Sequence, residues 1–243
     1  MKEFFRKIRP KLTWPNVLGL VLFLSLLFSL GYAIYRAVIT PQNHSEALQY
    51  GRLREDYILM VAQCILALGI MFLPSLLDRR FSLAIPSYMF VLYYLFLYCA
   101  VYLGEVRKFY FIVPHWDTML HGFSSITLGA LGFALVSLFN DAKRVDMHLS
   151  PGFVALFAFC FSLAAGTVWE IYEYTLDGIL TLNMQKFMLE EGTQLIGRAA
   201  LMDTMKDILV DAFGALAVSL VGYFMLKRGM KLNWRSDKKP SQP

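Results

Sequence analysis

Charge is scarce in this chain: Lys, Arg, Asp and Glu make up 17% of 243 residues, apolar types make up 57%, and mean hydropathy is +0.51. So little charge cannot coat a water-soluble globule, and an ordinary soluble domain is excluded. Cysteine is equally sparse. Cys64, Cys99 and Cys160 all fall within apolar runs and none forms a C-x-x-C pair. That excludes a disulfide framework and a thiolate metal centre, and leaves small buried hydrophobes. Histidine occurs four times, with no H-E-x-x-H or other sharp metal signature. His44, His115 and His148 fall between apolar runs and read as surface residues, whereas His121 falls inside one. A cleavable leader is not expected either. The first apolar run, Val17 to Ile39, exceeds a signal-peptide core of about 7–15 residues and is followed by no A-x-A-like site. The sequon Asn43-His44-Ser45 is a three-residue pattern common by chance and carries no argument.

What the chain has is length in its apolar runs. Six stretches, 15–36, 57–78, 82–103, 117–139, 151–176 and 204–226, approach the roughly 20 residues that cross a hydrocarbon core. Pro74, Pro86 and the glycines are no obstacle, since neighbouring helices can satisfy the freed backbone groups. The expected fold is all-α: a polytopic integral membrane bundle of six transmembrane helices whose partner is the lipid bilayer. Residues 1–13 and 229–243 are basic tails around a membrane domain at 14–228. Fifteen of the 23 Lys and Arg residues lie on the N-terminal tail, between Lys227 and Lys239 at the C-terminal end, and on the 2–3 and 4–5 turns. The positive-inside rule therefore puts both termini in the cytoplasm. That rule accounts for the basic tails, and no nucleic-acid partner is expected. Trp14 and Trp234 then mark the cytoplasmic interface, and Trp116 and Trp169 the opposite one.

With that topology, three acid-bearing segments meet in one leaflet. Asp117 and His121 fall in the outer first turns of span 4. Glu170, Glu173 and Asp177 fall in the outer last turns of span 5, and Asp203, Asp207 and Asp211 in the outer first turns of span 6. Spacings of three, four, seven and eight residues keep each set on one helical face, and Ser125 continues the stripe of span 4. At about 1.5 Å per residue, His121, Glu173 and Asp207 come out roughly 6 Å deep, and Glu170 and Asp211 roughly 10–12 Å. Asp117, Asp177 and Asp203 form a rim.

Ionisable groups in a membrane are costly, and their default reading is a functional site. So many acids cannot stay ionised side by side. Either some carry protons or cations neutralise them, and the candidate cations are a divalent metal ion, Lys206, and Arg198 folding over from the 5–6 loop. Oxygen ligands with one imidazole suit Mg, Mn, Ca or Zn alike. A structural reading stands beside each of these. Asp117 and Asp203 could be simple N-caps, the deeper acids could only staple helices together, and His121 could be a packing residue. Small residues flank the site (Gly122, Ser124, Ser125 and Gly129; Ala164, Ala165 and Gly166; Gly214 and Ala215) and suit close helix packing. The 5–6 loop, about 178–202, mixes Leu180, Leu182, Met184, Phe187, Met188, Leu195 and Ile196 with Lys186, Glu190, Glu191, Gln194 and Arg198. That mixture suits an interfacial amphipathic helix, acting as a lid over the site or lying on the bilayer as a connector.

At Asp117-x-x-x-His121, Glu170-x-x-Glu173 and Asp207-x-x-x-Asp211-x-x-Gly214 the chain resembles the VanZ-like membrane proteins over spans 4 to 6. Over most of its length it resembles the bacterial inner-membrane proteins called YjdF. VanZ-like sequences tend to have Gln at the position of Glu173 and Asn at that of Asp211, so this chain is the more acidic. The resemblance implies the bacterial inner membrane and the location of the site, and leaves the reaction open.

Three functions compete. The first is a site for a cation or polar headgroup, supporting metal-assisted hydrolysis or transfer on a lipid-linked or envelope small molecule. There Asp117, His121, Glu173 and Asp207 hold metal, and Glu170 or Asp211 is the general base. Asp177, Arg198, Asp203 and Lys206 would contact substrate. The second is a cation- or proton-coupled transporter, against which stand the absence of an inverted repeat and the apolar cytoplasmic halves of spans 4–6. The third is a non-catalytic envelope accessory protein.

Overall fold

The computed structural model describes residues 13–41, 52–81, 85, 87–141, 149–189 and 192–229. Both basic tails with Trp234, His44 and its sequon, Pro86, Lys143, Arg144, His148, Glu190 and Glu191 lie outside the described residues. Among the described residues there are eight α-helices: α1 (Trp14–Ile39), α2 (Arg54–Ile70), α3 (Leu73–Phe81), α4 (Ser87–Leu97), α5 (Phe109–Ile112), α6 (Trp116–Asp141), α7 (Pro151–Leu180) and α8 (Met202–Lys227). α4 runs on into a π-helix, Tyr98–Val106, and a 3-10 turn covers Gly197–Ala199. Six units are long and apolar enough to cross a membrane, with α2 and α3 forming one (Arg54–Arg80) and α4 with the π-helix another (Ser87–Val106).

Local chemistry explains the boundaries. α7 starts at Pro151, whose fixed φ suits a first turn, and the Ser150 hydroxyl caps it by accepting from the Phe153 N–H at 3.2 Å. Span 2 breaks between Ile70 and Leu73 because the Pro74 ring clashes with the carbonyl four residues back. The third span ends at Val106, beyond the expected 103, where its last turns widen into the π-helix and stay paired. Arg52 donates to the Glu105 and Val106 carbonyls at 3.0 and 2.8 Å, satisfying the end that a helix leaves open. Lys108 then takes a left-handed backbone (φ 62°), and α5 folds back over Gly104. A Cβ at Gly104 would come 2.5 Å from the Tyr110 ring, so only glycine allows this fold.

The helices form two groups of three spans. α1, α2 and α4 with its π-helix share an apolar core that includes Leu22, Leu26, Met60, Cys64 and Leu97. α6, α7 and α8 pack against one another. Lipid supplies no hydrophobic drive between helices, so small residues set how closely they approach. A Cβ on Gly132 would come 2.9 Å from the Ala158 Cα, and one on Gly222 would enter the Phe133 ring. Phe133, Val136, Val154 and Ala158 close the end of this group away from the α7–α8 connection. Large apolar side chains such as Phe28, Val168 and Phe213 are exposed on the outside, as a lipid-facing surface requires.

The connection from α7 to α8 is extended and not the expected amphipathic helix. Thr181, Lys186 and Gly192 all have positive φ, which no helix accommodates. Residues 187–189 instead pair with 193–195 through a Met188–Gln194 bridge, with the Leu195 N–H on the Phe187 carbonyl at 2.8 Å. Asp177 holds the fold in place, its two carboxylate oxygens accepting from the Met184 and Gln185 N–H groups at 2.8 and 3.0 Å.

Candidate metal-binding site

The imidazole of His121 is the centre of the acid cluster. Four residues along α6 from Asp117, it is buried between α7 and α8. Its Nδ1 lies 3.2 Å from Asp211 Oδ2, and its Nε2 lies 3.8 Å from both Asp117 Oδ1 and Glu170 Oε1. Asp211 is a pure acceptor when ionised, so it selects the tautomer with the proton on Nδ1 and frees Nε2 to act as a ligand. Asp117, His121 and Asp207 each offer one ligand atom, and these atoms all lie within 4.8 Å of one another. Asp207 and Asp211 are almost fully buried on α8. Both oxygens of buried Glu170, Oδ1 of Asp207 and Oδ1 of Asp211 have no hydrogen-bond partner. Buried carboxylate atoms without partners are costly, and a cation removes that cost.

Packing holds the cluster tight. Gly166 on α7 faces Asp211 so closely that a Cβ there would collide with the carboxylate, and Gly214 leaves the same room for Ser125. Ser162 donates to the Ser125 carbonyl at 2.7 Å, tying α7 to α6 one turn below His121.

The remaining candidates fall elsewhere. Glu173 lies outside the Asp117–His121–Asp207 trio and accepts from Trp169 Nε1 at 2.8 Å. Trp169 and Trp116, read from the sequence as interface anchors, are engaged inside the protein. Trp116 donates to the Cys99 carbonyl at 3.3 Å and packs edge-on against Phe109. Asp177 is occupied by the 184–185 backbone. Asp203 is not the N-cap of α8, a position held by Leu201. Its carboxylate lies 3.1 Å from the Lys186 ammonium. Arg198 is exposed on the 3-10 turn, and Lys206 is half-buried and acts on the Asp203 carboxylate.

Residues 20–228 match the model of the family DUF2238, described as "Predicted membrane protein". The chain belongs to this family. An uncharacterized protein of Thermotoga maritima is 28% identical over 134 residues, which cover 55% of this chain and 59% of that protein. This chain thus spans about three-fifths of that relative's length. No solved structure matches.

One functional group in this family member was missed from the sequence. Lys186, on the folded connection, pairs with both Asp117 and Asp203 and lies 5.7 Å above the Tyr110 ring. Burial opposes its charge, but the two carboxylates more than offset this and hold its pKa above the ordinary lysine value. Burial, followed by the carboxylates of Asp117 and Glu105, pushes the Tyr110 phenol up as well, so it stays protonated. Lys186 lies in a loop where periodicity has no meaning, and its positive φ is invisible in the letters. Its only sequence signal is that it is one of few cations near the acids.

Proposed function

We propose that this is a multi-pass protein of the bacterial inner membrane whose outward-facing Asp117–His121–Asp207 site binds one divalent cation. The cation would support hydrolysis or transfer on a lipid-linked envelope substrate. The observation that carries the reading is the trio of ligand atoms surrounded by buried carboxylate oxygens that have no other partner. Acids stapling helices would each be expected to find a close donor, whereas neither oxygen of Glu170 makes a hydrogen bond of ordinary geometry and only the Thr204 hydroxyl stands near it.

The roles follow from the contacts. Asp211 positions His121 through Nδ1. Glu170, 3.8 Å from His121 Nε2 and without a close hydrogen bond, is the residue suited to take a proton from an attacking water and return it to the leaving oxygen as the ester bond breaks. A bound ion would polarise the scissile group and lower the pKa of that water. Lys186 and Asp203 would close the rim. The rival transport reading needs a polar exit, and Phe133, Val136, Val154 and Ala158 oppose it with an apolar seal. The inner-membrane placement draws on the positive-inside pattern and the likeness to YjdF, and the likeness to VanZ-like proteins supports an envelope role.

Elemental analysis of detergent-purified protein, prepared without chelator, tests the reading. About one equivalent of divalent metal is expected in the wild type and none in His121→Ala or Asp207→Ala. Wild-type protein that is folded yet metal-free, even after metal is added back, would remove it.

A further inference from the structure

The acid–histidine cluster is one wall of a much larger space. A chamber of about 710 Å³ lies between the two groups of spans, within the range of small-molecule sites, roughly 300–1,000 Å³. Its polar groups crowd one end, where Arg52, Lys108, Asp117, His121 and Lys186 line it. Farther down, the walls are Leu66, Ile70, Phe96, Ala100 and Leu128. From Asp56 to Ile70, both lining residues of α2, the helix rises about 21 Å at roughly 1.5 Å per residue. That exceeds the half-thickness, about 15 Å, of a typical hydrocarbon core. The apolar part of this space is a poor container for water, which needs polar partners. Its polarity is confined to one end, as in a molecule with one head and one long tail.

We infer that the chamber binds a single amphiphile with an apolar chain and an anionic, phosphate-type head. The chain lies between α2, α4 and α6, and the head between His121 and Lys186. Placement of the chain rests on the walls alone, whereas the sign of the head rests on the metal reading above. Without an ion, Glu55, Asp56, Glu105, Asp117, Glu173 and Asp211 on the wall outnumber Arg52, Lys108 and Lys186 and would repel an anion. With a divalent ion on the trio and Lys186 facing it, the same end takes oxygen anions, since hard divalent ions favour oxygen ligands. Leu182, Met184 and Met188 of the folded connection also line the space, so the segment that carries Lys186 covers the entry.

The test uses a fluorescent dodecyl phosphate, compared with a dodecyl trimethylammonium analogue and with inorganic phosphate. Ala100→Phe and Leu128→Trp fill the apolar slot from two different helices while leaving every proposed metal ligand in place. Each is checked by thermal unfolding and metal content, so that failure of one to fold leaves the other. Wild-type protein is expected to bind the alkyl phosphate, and chelation or either filling variant to weaken it about tenfold or more. In the filling variants metal content should stay at the wild-type level. Inorganic phosphate should bind far more weakly and be indifferent to filling. Unchanged alkyl phosphate binding in both folded variants would overturn the chain placement even with metal intact. Stronger binding of the ammonium analogue would overturn the anionic head. Binding that needs no metal yet is lost on filling would sink the metal reading and uphold the chain placement.

Discussion

Gly166 lies at two removes from the imidazole: it makes room for the Asp211 carboxylate, and Asp211 holds His121 Nδ1. Gly166→Ala should therefore push Asp211 aside. Metal affinity should fall about 10–100-fold, the usual loss when a partner behind a ligand is disturbed, and Asp211→Asn should act in the same direction. Metal titration checks this, and wild-type affinity in Gly166→Ala would show that the link from Gly166 to His121 does not operate. The members of this chain of contacts were legible in the sequence because helical spacing alone brings Asp117 to His121 and Asp207 to Asp211. Distances across helices were not legible. Depth counting put Glu173 level with His121 and Asp207, yet its side chain turns to Trp169. Lys206, read as a candidate counter-cation, follows Met205 and precedes Asp207 on α8, and one step along a helix rotates a side chain about 100° away from its neighbour.

Among the elements, the folded connection between α7 and α8 was the least legible. Its apolar and charged letters alternate as an amphipathic helix would, and nothing in them reveals left-handed backbone at Thr181 and Lys186. Span 2 was simpler: the proline that breaks it was visible, although the run was read as continuous. Two contacts hold the connection down, and each makes a prediction. Asp177→Ala leaves the Met184 and Gln185 N–H groups without acceptors. Their hydrogen exchange should quicken by about tenfold or more, since an unsatisfied buried donor costs about 1–3 kcal/mol. Exchange at wild-type rates would mean that the segment is held by other contacts. Lys186 gains two carboxylates on folding and its pKa is raised. A raised basic group contributes fully below its unfolded value, about 10.4, and its contribution is lost as pH climbs through the folded value. A spin label on Thr193→Cys should thus show no Lys186-dependent change near neutrality and gain mobility only above about pH 10.4. Lys186→Met should be mobile throughout. Loosening between about pH 6 and 8 in the wild type would point to a group other than this lysine.

For the whole molecule, the two groups of spans matter because the chamber belongs to neither alone: Arg52, Leu66 and Ala100 come from the first, and His121, Leu128 and Asp211 from the second. Six crossings also decide orientation. The start of α6 and the end of α7 share the end of the bundle at which the chamber opens, and the positive-inside pattern of the sequence predicts that this end faces away from the cytoplasm. An amphiphile would then enter from the outer leaflet or the aqueous side next to it. Intact cells treated with a charged, membrane-impermeant maleimide test this directly. Thr193→Cys, exposed on the folded connection, should react without permeabilisation, and Arg228→Cys, beyond the last turn of α8, only after it. The native thiols should give little background, because Cys64 is buried and Cys160 is exposed only on a membrane-spanning face where a charged reagent does not penetrate. The reverse pattern would turn the site toward the cytoplasm. The metal trio would stand, but an envelope substrate would lose its route in, and the search would move to amphiphiles of the inner leaflet.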